Sequence, residues 1–427
     1  MYLLGILLLI LGLLFSVALH EIGHLLPAKL FGVKVPQYFV GFGKTLFSKR
    51  IGETEYGVKA IPLGGFVRLV GMYPPERTPD KPARDGSESM VAAARREALE
   101  EIAPGEENRA FYNLSVPKKI VVMFGGPFMN LLLATVLIII VFVGIGMPTL
   151  DTGRISQVMP CVPASYLSAA SPAPGAAAPG CDGGVAGPAA VAGMQVGDTI
   201  QEWNGQAVTD WASVQAAIAA SPAGQELPVV VRRGESEVTL HIAPVWVSIE
   251  GTERAFVGIS PSPSYVPQSL GSALRATGEA TVATGKMIVR LPAMLANAAG
   301  ATLGLTEREP GGLMGLVGIG RMAGEVTSAE GVAATPAVRA AGFLSLLASL
   351  NLSLFIFNLL PILPLDGGHI TGALWEGLRK GFRRLTGRGY AGPTDTAKML
   401  PFTYATIYFL IGLTLLLVVA DVVAPAV

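Results

Sequence analysis

The run Leu14-Phe15-Ser16-Val17-Ala18-Leu19-His20-Glu21-Ile22-Gly23-His24-Leu25-Leu26 sets two imidazoles and a carboxylate inside an otherwise apolar segment, and the reading of the chain turns on it. On a helix, residues four apart share a face, so His20 and His24 can address one ion while Glu21 stands beside it. That donor set and spacing suit zinc. Some 18 residues precede the motif, about 27 Å of helix at 1.5 Å per residue, which places it near the far boundary of a bilayer. Ionisable groups there cost a few kcal/mol or more unless partnered, and a metal is such a partner. The competing reading is a polar cluster snorkelling at the interface.

The rest of the composition agrees with a membrane setting. Of 427 residues, 51% are hydrophobic and 15% charged, with formal net charge zero, which is too apolar for an ordinary soluble enzyme. No long basic run with interleaved aromatics is present, so no nucleic-acid partner is expected. Four stretches are long and apolar enough to cross a bilayer: 2 to 26, 120 to 147, 343 to 365 and 402 to 420. The first lacks a basic start and a small-x-small cleavage site, so it is read as a retained helix rather than a signal peptide. Lys29, Lys34, Lys44, Lys49, Arg50, Lys118 and Lys119 surround the first loop, and Arg379, Lys380, Arg383, Arg384, Arg388 and Lys398 the last. Both loops are therefore expected inside, with both termini and the 150 to 340 segment outside.

The expected organisation is a polytopic α-helical membrane protein with an inserted extracytoplasmic α/β domain. Residues 1–32 carry the first span and 33–118 a cytoplasmic loop, with a membrane-associated β-hairpin at 54–73 and a charged segment containing one exposed amphipathic helix. Residues 119–148 form the second span, 149–262 the outer domain, and 263–340 an outer linker with an amphipathic helix. The third span occupies 341–370, a cytoplasmic loop 371–400, and the fourth span 401–421. Gly-Asp and Asn-Gly turn signals flank a strand in AGMQVGDTIQEWNGQAV (residues 192–208), followed by an amphipathic helix and two further strands, LPVVVRRG and SEVTLHIAPV. Cys161 and Cys181 fall in the outer segment, where a disulfide persists; two unpaired cysteines are the alternative.

A catalytic zinc normally takes three protein ligands, and His20 and His24 supply two. His241 lies on an outer strand, on the wrong side, and reads as a surface histidine. Asp366 and His369, in NLLPILPLDGGHI, remain. Pro361 and Pro364 break the third span just before Asp366, and irregular backbone at that depth is tolerated only where protein or water surrounds it. Asp366 as a plain turn residue stays open on these grounds. Asn351 and Asn358 fall seven apart on one face of this span; Asn351 is expected to line the substrate path, the alternative being a polar tie between helices.

These segments resemble the site-2 protease family of intramembrane zinc metalloproteases, closest to its bacterial RseP-like branch. HEIGH resembles the family's HExxH, and Asn358 to Gly368 its NxxPxxxLDGG. GVKAIPLGGFVRLVGM is similar to the membrane-associated β-loop, and ENRAFYN with GGPFMN to the entry into the second helix, where Gly125 replaces the more usual alanine. The outer module is similar to a PDZ domain. The resemblance implies Asp366 as third zinc ligand, Asn358 as a substrate contact, and His369 as structural. It also implies a bacterial cytoplasmic membrane location. Substrates would be single-span membrane proteins, such as anti-sigma-type regulators or remnant signal peptides.

The chemistry expected is hydrolysis of a peptide bond, with Zn2+ as Lewis acid and Glu21 as general base and then acid. A transmembrane substrate must unwind before it is cut, and the hairpin around Gly64 and Gly65 can take it up by strand addition. Two other classes use the same residues: a metal or proton transporter, and a membrane-tethered PDZ scaffold with a structural metal. A transporter needs more polar spans than these and has no use for Glu21. Oligomeric state is open.

Overall fold

The computed structural model describes residues 1–76, 89–150, 153–168, 181, 183–249, 252–309, 311–329, 335–387, 389 and 392–425. It divides into two compact units: Met1–Ile140 with Leu270–Ser328 and Gly342–Val427, and Val141–Ser269 with Ala329–Ala341. Four helical stretches, Tyr2–Leu30, Val116–Ile145, Pro336–Asn358 and Thr396–Val423, are long and apolar enough to cross a membrane. The chain is thus a polytopic membrane protein.

In the helical unit, α1 (Tyr2–Leu30) leads into strands β1 (Gln37–Ile51) and β2 (Thr54–Arg68), then α2 (Met90–Glu100) and α3 (Val116–Ile139). The hairpin is far longer than expected from residues 54–73, and its turn lies at Gly52–Glu53 instead of Gly64–Gly65. Its first strand was hidden because Lys44, Lys49 and Arg50 read as a basic loop. Gln37 to Val40 pair with Glu55 to Val58 on one side and with Gly65 to Arg68 on the other, so each strand bends back on the other in a curled sheet. Tyr38 fastens this sheet to α1 by donating to the Ala18 carbonyl at 2.9 Å.

The α2 helix was expected to be exposed, yet Arg95 is buried and donates to Asp395 at 2.8 Å. One charged residue facing inward was invisible to a pattern that counts Arg as solvent-facing. Residues 77–88, part of the same charged segment, lie outside the described residues.

Two further expectations change in this unit. Much of the supposed outer linker is helical and packs with the spans: α6 (Leu270–Thr302) against α3, and α7 (Leu316–Ser328) against α1, once the short α4 (Pro188–Val191) and α5 (Trp211–Ala219) of the other unit are counted. These contacts use small residues: Ala273, Ala298, Ala301 and Ala323 are buried, and a side chain on Gly324 would strike the Tyr2 ring. Close approach through Gly and Ala needs little hydrophobicity, so hydropathy missed it. The third span, α8 (Pro336–Asn358), stops well short of residue 370; a new helix, α9 (Asp366–Leu385), then fills the first half of the expected 371–400 loop, and α10 (Leu400–Val423) follows. The basic residues of α9 had suggested a loop, but they share a helix with a continuous apolar face.

At one end of the bundle, Thr327 of α7 donates to the Met1 carbonyl at 3.4 Å, and the Gly318 N–H donates to Asp421 of α10 at 2.7 Å. Met1 and Asp421 thus both meet α7. Arg308 completes that corner, donating to Asp421 Oδ1 at 3.0 Å, with both side chains buried.

The second unit is built as its sequence suggested. Strands Thr199–Trp203, Leu227–Arg233 and Ser236–Ile242 form an antiparallel sheet with Gln206–Ala207 on its edge. Asn204 and Gly205 both take positive φ, 51° and 75°, the tight-turn geometry that favours Asn-Gly. Asp210 caps α5 in a reciprocal capping box with Ser213. Trp203, Val214, Val229, Val231 and Ile242 fill the core, with the Trp203 indole N–H donating to Ser221 at 2.8 Å. Burial disfavours charge on Asp198, but two hydrogen bonds from Arg233 and one from the Gln195 N–H hold its carboxyl below the usual range. Cys161 and Cys181 are joined by a disulfide, with Cα atoms 5.5 Å apart. His241 is exposed on its strand.

Candidate metal centre

His20 and His24 lie one turn apart on α1, and their Nε2 atoms come within 3.2 Å of each other. His24 Nδ1–H donates to the Val122 carbonyl of α3 at 2.8 Å, which holds the ring in the tautomer that leaves Nε2 free to bind a metal. Asp366 Oδ2 is 3.3 Å from His20 Nε2, and Oδ1 is 3.4 Å from His24 Nε2. Among the described residues, this trio is the His/Cys/Asp/Glu group whose donor atoms converge, all within 4.8 Å. Two imidazole nitrogens and a carboxylate suit a catalytic zinc that keeps a position for water or substrate.

Backbone chemistry explains why the groups meet here. Helix α8 ends at Asn358, Pro361 and Pro364 prevent it from continuing, and Asp366 becomes the first residue of α9. Gly367 and Gly368 let the first turn of α9 lie directly on the returning 359–363 backbone, because a Cβ on either would collide with it. On the α3 side, a Cβ on Gly126 would fall on the His24 and His20 imidazoles, so this glycine keeps the cradle open. Gly23 and Gly125 face each other where α1 crosses α3, and a Cβ on Gly125 would strike the Gly23 carbonyl. Glycine in place of the more usual alanine at 125 is therefore what this crossing requires.

Glu21 follows His20 directly, and the Val67 backbone lies against its carboxylate. A side chain on Gly65 would come within 3.2 Å of Glu21 Cγ. The outer edge of β2 thus runs past Glu21. Gly64, at φ 95°, sits where a Cβ would meet Phe42 at 2.9 Å.

Asn351 is not open to a ligand: it is fully buried and donates to Ser16 Oγ at 2.9 Å and the Leu347 carbonyl at 2.8 Å. It ties α8 to α1, since a buried amide binds what lies nearest. Asn358 is only half-buried, at the open end of α8. His369, one turn along α9 from Asp366, lines a cavity of about 580 Å³ with Val67, Arg68 and Glu97, outside the converging trio.

Three polar residues of the spans have roles the sequence did not show, Lys119 among them, which reads there as a loop cation. Lys119 of α3 and Glu376 of α9 form a buried ion pair at 2.8 Å, Asp421 pairs with Arg308, and Asn130 is buried one turn beyond Gly126. The signal was a charge or amide inside an apolar run; the partners, hundreds of residues away, were not readable.

Three converging donor atoms within a bundle of long apolar helices fit a class, the membrane metalloproteases. The sequence pattern of Peptidase family M50 matches residues 8–400, and the chain belongs to that family. It is 34% identical to zinc metalloprotease Rip1 of Mycobacterium tuberculosis over 100% of this chain and 98% of the relative, and 32% identical to Rip1 of Mycolicibacterium smegmatis with the same coverage. Metalloprotease MmpA of Caulobacter vibrioides is 28% identical over 88% of each chain. The protein is an intramembrane zinc metalloprotease of the site-2 protease type, acting on membrane-protein substrates within the bilayer.

Proposed function

We propose that His20, His24 and Asp366 are the zinc ligands and that Glu21 is the general base. The observation that carries this reading is the convergence of three donor atoms within 4.8 Å, two from α1 and one from the first turn of α9. When bound, zinc acts as a Lewis acid that makes water nucleophilic near neutral pH and polarises the scissile carbonyl. Glu21 takes the proton from that water and delivers it to the departing amine, so no group on the protein is consumed. Val122 orients the His24 ring throughout, through its carbonyl.

The substrate segment, unwound from its helix, adds as a strand to the outer edge of β2. There Gly64 and Gly65 let its backbone come close to Glu21, and its freed amides find partners. Asn358, half-buried at the end of α8, offers its amide to the same segment. The basic residues near the α1 C-terminus, the α3 N-terminus and α9 support a cytoplasmic location for that end of the bundle. Both chain ends and the 149–262 module then lie outside, and the module is a PDZ-like domain that meets the outer remnant of the substrate. Single-span proteins already trimmed on that side, including membrane-bound regulators of transcription, are the substrate class.

The test is Glu21→Gln in the full-length enzyme, reconstituted in vesicles with a single-span substrate. Zinc should stay bound at one per chain while cleavage stops. Cleavage at the wild-type rate refutes the assignment of Glu21, and it would also leave the transporter and scaffold readings without their distinguishing failure.

A further inference from the structure

Helix α9 carries more than Asp366. Along its length Leu374, Trp375, Leu378, Phe382 and Leu385 are exposed, at 51, 59, 68, 63 and 88%. At 100° per residue these five positions fall within about a quarter of the helix circumference, a continuous apolar stripe. The opposite side is occupied: Glu376 is buried against Lys119. The face opposite the stripe carries Arg379, Lys380, Arg383 and Arg384. An apolar stripe backed by a cationic face, with a tryptophan among its side chains, is the composition of a helix lying in a membrane interface.

We propose that α9 lies on the membrane surface against anionic phospholipid headgroups, and that this contact sets the position of Asp366. Three features favour lipid over a protein partner. The helix is joined at both ends to apolar spans, α8 by seven residues and α10 by the segment after Leu385, so its stripe is held at the bilayer. Apart from the buried Glu376, the charges between Trp375 and Leu385 are all positive, as an anionic leaflet requires. Among the described residues of the helical unit the stripe remains open. Arg379 and Arg383 also donate to the Gly392 and Gly389 carbonyls at 2.8 Å, which steadies the connection to α10.

The coupling to the metal centre is mechanical and rests on Asp366 being a ligand. A helix of 20 residues is a rod about 30 Å long. Its first residue faces His20 and His24, its middle is pinned by Glu376 to Lys119, and its second half bears the apolar stripe. Drawing the second half onto the membrane surface turns the rod about that pin and fixes the carboxylate at its head. Lipid charge then changes turnover without any contact to the substrate.

The experiment uses the purified full-length enzyme in vesicles of phosphatidylcholine alone or mixed with phosphatidylglycerol. Wild-type turnover is expected to be about fivefold higher with the anionic lipid, on the scale of one cation at such a surface. Lys380→Glu/Arg384→Glu, both exposed, should abolish that difference and match the wild type in the neutral vesicles. Equal wild-type turnover in the two lipids, or a variant that keeps the difference, overturns the proposal. As a second readout, brominated lipid should quench a fluorescence component that Trp375→Phe removes. Absence of that component, or cross-linking of two copies through Trp375→Cys in its place, also overturns it. Glu21→Gln in the same vesicles isolates the other failure, since persistent cleavage there indicts the catalytic assignment and not the lipid contact.

Discussion

The helical unit buries ionisable side chains in two contrasting ways. Lys119 and Glu376 satisfy each other at 2.8 Å, and Glu376 accepts a further hydrogen bond from the Thr394 N–H at 3.0 Å. His20, His24 and Asp366 instead turn three donor atoms toward one point, and neither His20 Nδ1 nor Asp366 Oδ2 has a hydrogen-bond partner among the described residues. Both clusters join α9 to a preceding span. The first is closed within the chain and holds the helices in place; the second, on the proposed reading, is completed by zinc and carries the chemistry. Burial alone does not separate a structural charge from a functional one, whereas the destination of the lone pairs does.

Substitutions at the two clusters should therefore fail differently. Asp366→Asn or His24→Ala is expected to lose zinc and to lower cleavage on the order of a thousandfold or more, with the helices still folded. Metal analysis beside a cleavage assay checks this, and a variant that keeps both would make the trio as structural as the ion pair. Lys119→Met should do the reverse, costing about 3–5 kcal/mol of stability because Glu376 is left buried without its cation, with zinc retained. Adding Glu376→Met should recover most of that loss. Thermal unfolding in detergent reads both, and a double variant no better than the single one contradicts a self-contained pair.

Smaller effects are expected in the other unit, which carries neither cluster. Cys161→Ser should lower its stability by about 3 kcal/mol, the scale for releasing a loop between cysteines 20 apart in sequence, with zinc content unchanged. Asp198 supplies a pH signature. Its folded pKa is held below the unfolded value of about 3.9, so its contribution is fully present above that pH and is lost as pH falls through the lower folded value. Asp198→Asn should cost about 1–2 kcal/mol at neutral pH and almost nothing in strong acid. Fluorescence of the buried Trp203 and Trp211 follows the unfolding, and a deficit that persists undiminished in acid would remove Asp198 as its source.

The sequence disclosed whatever local periodicity encodes. The four spans were legible from apolar runs, the strand–turn–helix order of 192–246 from alternation and turn residues, and the His20, Glu21, His24 face from helical spacing. Asp366 needed the resemblance, because nothing in its neighbourhood says which helix it will face. Contacts through small residues were missed: α7 meets α1 through Gly324 and Gly5, and neither attracts notice on a hydropathy scale. Strand β1 was missed because its cations look like loop, and α9 for the same reason. Asn351 was misread in the opposite sense, as polar enough to meet a substrate, when Ser16 on α1 was waiting for it.

The central claim is that one zinc is shared between the first span and the head of α9. X-ray absorption at the zinc edge, on full-length wild type and on Asp366→Asn, tests it most directly. The account predicts one zinc per chain, with two imidazole nitrogens and carboxylate oxygen in the wild type, and loss of the metal or of the carboxylate contribution in the variant. An unchanged zinc environment in Asp366→Asn would contradict it.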